Sequence, residues 1–387
     1  MSDFQADVPA GRGRVLLLVA SRTFAVVRSR LFLIDGMLAR GWKVHVAAKE
    51  DEFAEELDRR ERVTRSNLDF PAGGISLFQS TKVVFSLRRL FKSLNPDLIH
   101  LFNARPALSG LLAFRTMRSS TPVIATVTGL GHAFEASKLI RNVASISYAL
   151  LLKKTARTVF QNPEDLEYFV SAGLLSRSRS KLIIGSGVDT RKFIPRRART
   201  RSTEFTVLMA SRLLRSKGIG EFISAAEDCR HCCPGAKFVL VGEAQKDHLD
   251  AYPMDKIFSA TQSGIIEYQG YRNDLDRFIG QVDLMILPSY YREGVPRILQ
   301  EAAACGVPCI TTDTPGCREA VVDGVTGYLV PPRDAKALSA AIQRFLKNGH
   351  LSAEMGRAAR QFACEKFDIR QIAQTYLSLY EDVLGNI

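Results

Sequence analysis

Apolar and polar positions alternate between two periods along this chain. RVLLLVA (14–20) is a short unbroken apolar run, RLFLIDGMLARG repeats its apolar positions at three and four, and KVHVAA (43–48) is again a short run. Short unbroken runs suit buried strands, and the 3–4 spacing suits a helix packed over them. The alternation continues through DLIHLF (97–102), VIATVTG (123–129), ARTVFQN (156–162) and KLIIGSG (181–187), with helical stretches between. Repeated βα of this kind predicts a parallel sheet.

RKFIPRRARTRSTEF (191–205) has no periodicity and reads as a linker. The pattern then restarts: TVLMAS (206–211), a helix from about Gly218, KFVLVG (237–242), IIEYQG (265–270), VDLMILPS (282–289), VPCITTD (307–313) and TGYLVPP (326–332). Residues 334–387 read as helices, DAKALSAAIQRFL, SAEMGRAARQFACEKF and IRQIAQTYLSLYEDVL. No repeat of solenoid period and no low-complexity tract appears. A chain of 387 residues exceeds one ordinary core. The prediction is therefore α/β, with two doubly wound domains joined by the linker. Ligands of such sheets sit beyond the carboxyl ends of the strands, so the strand-to-helix loops and the cleft between the domains are the expected site.

Composition narrows the class. With 46% apolar and 24% charged residues the chain is globular. MSDFQADVPAGRGRVLLLVAS lacks a cationic n-region and cleavage site, and no apolar run reaches the roughly 18 residues of a membrane span, so a cytoplasmic address is expected. Seven cysteines, an odd number in a large chain, fit a reducing compartment. The net charge of +13 lies wholly in the first half: residues 1–200 hold 32 Lys and Arg against 17 Asp and Glu, and the remainder 21 against 23. Such a field suits phosphate-rich partners, whether anionic lipid headgroups, diphosphates or nucleic acid, and equally a merely soluble basic surface. Few aromatics interleave with these cations, which argues against base stacking and hence against nucleic acid.

Two stretches carry candidate chemistry. SRLLRSKGIGEF (211–222) follows a strand and opens a helix, so Arg212 and Lys217 flank a helix start where free N–H groups favour an anion. They are either diphosphate grips or plain surface cations. PSYYREGVPRILQEAAACG places Glu293 in a strand-end loop, Pro296 in the first turn of the next helix and Glu301 about one and a half turns in. Two carboxylates suggest acid–base work of the glycosidase kind, but such pairs usually face one another from separate elements. A pair running along one helix suits two hydroxyl-bearing parts of one ligand, or is a cap and a surface residue. CRHCC (229–233) lacks a second cluster at zinc-like spacing and reads as a helix end. Asp313 of TTDTPG reads as turn chemistry. No Walker loop or G-x-G-x-x-G is present.

SRLLRSKG, the E-x7-E of EGVPRILQE, EAAACGVPCITTDTPGCREAVVDGVTGYLVPP and GSGVDTRKF together resemble glycosyltransferase family 4, the retaining, sugar-nucleotide-dependent enzymes of GT-B architecture. The resemblance implies two Rossmann-like domains facing across a cleft: an acceptor-binding domain at 1–190 completed by helix 368–387, and a nucleotide-sugar domain at 203–367. It implies a donor site in the second domain, where Arg212 and Lys217 bind the donor diphosphate and stabilise its departure, Glu293 binds the donor sugar and Glu301 the ribose. Gly294, Val295 and Pro296 then line the sugar and phosphate pocket, and Tyr271 and Arg272 lie near the base. No cofactor or metal is implied. Many family members carry a histidine where this chain has Thr128; Gly129 follows it, and His132 is the candidate substitute.

VTGLGHAF, VFQNPEDLEYF and CREAV are similar to a bacterial subgroup that extends polyprenyl-diphosphate-linked glycans. That resemblance implies a UDP-linked donor, a lipid-linked glycan acceptor met by Asn103 and Arg105, and a peripheral place on the anionic inner face of the plasma membrane. The alternatives are a GT-B UDP-sugar epimerase, a pyridoxal-dependent phosphorylase, or a non-enzymatic basic membrane- or nucleic-acid-binding protein.

Overall fold

The apolar runs become parallel strands of two separate sheets. The structure, a computed structural model, describes residues 13–70, 77–129, 138–195, 204–245 and 248–385. They form two units, Met1–Ser186 with Ile369–Ile387, and Gly187–Asp368.

In the first unit the strands are β1 (Val15–Arg22), β2 (Lys43–Lys49), β3 (Val63–Asn67), β4 (Leu98–Phe102), β5 (Val123–Val127), β6 (Arg157–Phe160) and β7 (Ser180–Leu182). The helices are α1 (Thr23–Ala39), α2 (Ala54–Asp58), α3 (Leu77–Leu94), α4 (Ala104–Arg115), α5 (Lys138–Leu152) and α6 (Pro163–Ser171). The all-parallel sheet runs β3-β2-β1-β4-β5-β6-β7. Successive strand residues point to opposite faces, so each strand feeds two cores. Leu17, Val19, Ile99 and Leu101 meet Leu87, Phe91 and Leu111 on one face. Leu16, Leu18, Leu98 and Ile124 meet Leu33, Ile34 and Leu377 on the other. This is why the runs are unbroken rather than alternating. β3, VTRSN, escapes the hydrophobic pattern because it is an edge strand: its Thr64 and Ser66 hydroxyls bond the two ring nitrogens of His45 at 2.7 and 2.8 Å.

Helix α13 (Ile369–Gly385) belongs to this unit. It lies so close to α1 that a Cβ on Gly36 would come within 2.7 Å of Leu377. Its Tyr376 and Tyr380 are fully buried and close a polar network in the core. His100 shares one ring nitrogen with the Tyr380 hydroxyl and the other with Thr126 at 2.8 Å. The Thr126 hydroxyl lies 3.3 Å from that of Tyr376. The Arg30 guanidinium stacks 4.4 Å from the Phe102 ring centroid and 5.2 Å from that of Tyr376. Burial, reinforced by the charge of Arg30, holds the His100 pKa well below the usual imidazole range.

In the second unit the strands are β8 (Phe205–Ala210), β9 (Ala236–Val241), β10 (Glu267–Tyr268), β11 (Leu284–Leu287), β12 (Cys309–Thr312) and β13 (Gly327–Val330), in the order β10-β9-β8-β11-β12-β13. The helices are α7 (Ile219–Cys232), α8 (Met254–Gln262), α9 (Leu275–Ile279), α10 (Arg297–Ala304), α11 (Ala335–Lys347) and α12 (Leu351–Lys366). Pro296 is not in the first turn of α10. It is the N-cap, because its ψ of 124° is extended and the helix begins one residue later. Among the described residues no helix is long and apolar enough to cross a membrane.

Tyr376→Ala removes a fully buried ring, and a loss of about 3–5 kcal/mol is expected from the first unit, read as an earlier urea transition. His100 and His45 both have lowered pKa values in the folded chain. The unfolded chain then binds more protons below pH 6.5, so this unit loses stability as pH falls through that value. A His100→Gln variant should show a shallower slope of stability between pH 6.5 and 5 in the same measurement.

Candidate functional site

In each sheet the strand order reverses once, between β8 and β11 in the second unit and between β1 and β4 in the first. The loops at such a reversal diverge and leave a crevice at the carboxyl ends of the strands. The second unit fills that position with the two stretches singled out in the sequence. Ser211–Lys217 follows β8 and Pro288–Pro296 follows β11.

The two loops are bonded to one another. The Ser216 carbonyl accepts from the Tyr290 N–H at 3.0 Å, and the Ser289 hydroxyl oxygen lies 3.3 Å from it. Lys217 Nζ donates to Glu293 Oε1 at 2.6 Å, and Ser289 Oγ donates to the same oxygen at 3.0 Å. The side chains of Lys217 and Glu293 are only 9% and 19% exposed. A buried charge needs a partner, and here each supplies the other's. The two are therefore neighbours in one unit. Asp250 steadies the loop from behind by accepting from the Ser216 N–H at 3.1 Å and from its hydroxyl.

Two glycines make this approach possible. Gly218, at φ +79°, caps α7, and a Cβ there would lie 2.3 Å from the Pro288 carbonyl oxygen. Gly316, at φ +87°, brings the TPG turn onto the loop from the other side: a Cβ would lie 2.1 Å from the Gly294 oxygen and 2.4 Å from that of Glu293. Three loops thus meet at backbone distance. Only glycine combines the left-handed conformation with that space.

The remaining expected residues separate into exposed and locked ones. Arg212 is exposed on the β8 loop and makes no ion pair among the described residues. Gly294, Val295 and Pro296 are buried at the start of α10. The Gly294 and Val295 N–H groups have no partner among the described residues. Glu301 is 2% exposed within α10 and accepts from Arg297 Nε at 2.8 Å. Gln300, fully buried, bonds the Val295 carbonyl at 3.0 Å and the Gly187 N–H at 3.1 Å, and so sets the EGVP turn. Tyr271 is 58% exposed beyond β10. Arg272 is held by Asp274 at 2.7 and 2.9 Å, by Gln269 at 2.7 Å and over the Phe278 ring at 4.2 Å.

In the first unit the crevice gathers Ser21, Asn103, Thr128 and Gly129. Asn103 follows β4 with φ +69°, donates from Nδ2 to Thr128 Oγ1 at 3.0 Å and accepts from Ser21 Oγ at 3.3 Å. Gly129 has φ +111°. Arg105 is exposed in the first turn of α4. His132 lies outside the described residues. Asp51 occupies the start of α1, accepting from the Thr23 hydroxyl at 2.8 Å and the Phe24 N–H at 3.0 Å.

Ser21, Asp51, Asp250, Ser289, Gln300 and Gly316 went unmarked in the sequence. Ser289 and Gly316 stood inside stretches already marked, as strand-end and turn residues. Gln300 also stood inside one, EGVPRILQE, while Ser21, Asp51 and Asp250 have no local signal, since they act on segments distant in the chain. The cysteines of CRHCC end α7, where burial pushes the Cys229 thiol up to about 11. Asp313 pairs with Arg318 at 2.7 Å inside its own turn.

Two parallel, Rossmann-like units, each with a polar loop cluster at its switch point, are the GT-B architecture of glycosyltransferases. The family model "Glycosyltransferase Family 4" matches residues 26–192, and "Glycosyl transferases group 1" matches 190–362. Together they run through most of the chain, which belongs to this glycosyltransferase family. Across 94% of its length it is 29% identical to the N,N'-diacetylbacillosaminyl-diphospho-undecaprenol alpha-1,3-N-acetylgalactosaminyltransferase of Campylobacter jejuni, covering 97% of that protein. Across 81% it is 26% identical to the UDP-Gal:alpha-D-GlcNAc-diphosphoundecaprenol alpha-1,3-galactosyltransferase of Escherichia coli, covering 82% of it. Sucrose-phosphate synthase from Thermosynechococcus elongatus shares the fold at a TM-score of 0.82, with 21% identity over 97% of this chain and 100% of that one.

Gly316→Ala combines a left-handed backbone with overlap onto two carbonyls. A loss of at least about 1–3 kcal/mol is expected, seen as a lower melting transition of the second unit. A double-mutant cycle of Lys217→Met and Glu293→Gln should return a coupling of about 0.5–3 kcal/mol in urea unfolding, and additivity would show that the pair does not stabilise this unit.

Proposed function

We propose that this glycosyltransferase moves a sugar from a UDP-linked donor to a polyprenyl-diphosphate-linked glycan, with the α configuration of the donor kept. The carrying observation is the Lys217–Glu293 pair at the β8/β11 reversal, a buried cation in the same loop cluster as the Gly294 and Val295 N–H groups, which have no partner among the described residues. The Campylobacter and Escherichia relatives, whose names specify diphosphoundecaprenol-linked acceptors and alpha-1,3 transfer, support the acceptor and the anomer; the second name supports UDP.

In this reading the donor diphosphate lies against Lys217, Arg212 and the N–H groups of Gly294 and Val295, with Pro296 closing the wall. As the bond from the anomeric carbon to the diphosphate oxygen breaks, charge grows on the leaving group. Fixed positive groups in a water-poor site stabilise it without reorganising. When Lys217 turns to phosphate, Glu293 is released to accept from the sugar hydroxyls, with Ser289 still holding one of its oxygens. Glu301, oriented by Arg297, meets the ribose, and Tyr271 and Arg272 stand near the base. No protein nucleophile and no metal has a role.

The first unit serves the acceptor through Asn103, Arg105, Thr128 and Gly129. Its excess of basic residues draws the chain to an anionic membrane surface, where such an acceptor resides. The protein then works as a peripheral enzyme on the cytoplasmic leaflet.

The test is transfer from UDP-hexoses and UDP-N-acetylhexosamines to polyprenyl-diphosphate glycans. Lys217→Ala should lower kcat by about 10²–10³ per folded molecule, with some loss of stability because Glu293 loses its partner, and Arg212→Ala, at an exposed position, should lower kcat with folding intact. Full turnover in the Lys217 variant, or transfer from GDP- or ADP-sugars in preference to UDP-sugars, would overturn the reading.

A further inference from the structure

Part of the basic excess of the first unit gathers at the end of the sheet away from the crevice. A hollow of about 480 Å³ opens there, lined by Arg115, Lys153, Lys154, Arg157 and Arg179, by the hydroxyls of Ser119, Ser120, Thr121 and Thr155, and by no carboxylate. Its floor includes Phe114, Met117 and Val123. A second hollow of about 420 Å³ shares Phe114, Met117, Ser119 and Thr121 with it and adds Arg88, Lys92 and Arg118, again without an acid. None of these eight cations has an ion pair among the described residues, whereas Arg60, Arg65 and Arg177 elsewhere in the same unit each have a carboxylate.

The three guanidiniums of the larger hollow are fixed rather than loose. Arg115 donates to the Leu150 carbonyl at 2.9 Å, Arg179 to that of Lys153 at 2.8 Å and Arg157 to that of Ala156 at 2.9 Å. Each anchor is neutral and uses one of five N–H donors, so the positive charge stays uncompensated. The carbonyl end of α5 accounts for two of them by itself, since cations are favoured at a helix C-terminus. It does not account for Lys154 and Arg157, or for the absence of acid from a concave wall. Like charges gathered in one hollow repel one another, and their summed field attracts whatever anion enters.

We infer that this hollow is a second anion site, for a ligand bearing clustered phosphates such as a di- or triphosphate or a phosphorylated headgroup. It is separate from the transfer site: Val123 lies in its floor, and Thr128 of the crevice is five residues on, roughly 16 Å along β5 at about 3.3 Å per residue. The volume suits a small phosphorylated molecule, and hydroxyls beside guanidiniums are the usual donors to phosphate oxygens.

The experiment is calorimetric titration of the full chain with inorganic triphosphate, carried out in the Lys217→Ala background so that the transfer site contributes little. Binding is expected to persist there and to weaken at least tenfold in Lys154→Ala with Arg157→Gln. Ser120→Glu, which brings a carboxylate to the rim and removes no anchor, should weaken it as much. Vesicles of phosphatidylglycerol against phosphatidylcholine form the second arm. Retention on the anionic vesicles that these same substitutions abolish identifies a headgroup as the source of the phosphate. Binding of triphosphate alone identifies a soluble ligand. If neither binds, or if the substitutions leave binding unchanged, the hollow is no anion site.

Discussion

The arrangement of the second unit depends on a lysine and a glutamate that are both largely out of water. Removing either charge from solvent is costly, and the attraction between them offsets this only while their geometry is held. The surrounding loops supply that geometry. Ser289 and Ser216 bind the two strand-end segments together, and the absence of side chains at Gly218 and Gly316 lets the backbones come close enough. A pair built in this way stores the means to bind an anion. In the proposed reaction the diphosphate replaces Glu293 as the partner of Lys217, so a charged ligand enters a prepared cationic place and a sugar-binding carboxylate is freed by the same exchange.

The first unit answers the burial of polar groups differently. His100, Thr126, Tyr376 and Tyr380 saturate one another inside the core, and the neutral imidazole avoids the cost of a buried charge beside Arg30. Because two of the four come from the last helix, α13 is a structural part of this unit. Three guanidiniums of the larger hollow are anchored to carbonyls rather than to acids, which gives this unit a field that its sheet does not need for folding.

Much of the architecture was legible because a strand buried on both faces must be apolar throughout. RVLLLVA, DLIHLF and VDLMILPS could hardly be read otherwise, and the helices after them carried their own spacing. β3 was hidden for the converse reason: at a sheet edge, VTRSN needs no apolar face. Pro296 shows the limit at boundaries, since a proline serves both as a helix's first residue and as its cap, and ψ alone decides between them. The site was half legible. Lys217, Glu293, Gly218 and Glu301 stood in stretches whose residue types suggested anion and hydroxyl binding, but their pairing did not.

By itself the sequence determined the alternation of strand and helix, the division into two units and the family to which the chain belongs. These follow from local periodicity and from motifs contiguous in the chain. Tertiary structure alone decided that Lys217 sits on Glu293, that Asn103 reaches Thr128 and Ser21, that Gly316 closes against Gly294, and that cations from three separate segments share an acid-free hollow. Each of these joins residues far apart in sequence, and their distances are set by how strands are ordered in a sheet. That order is a property of the packed core, and no stretch of the chain carries it alone.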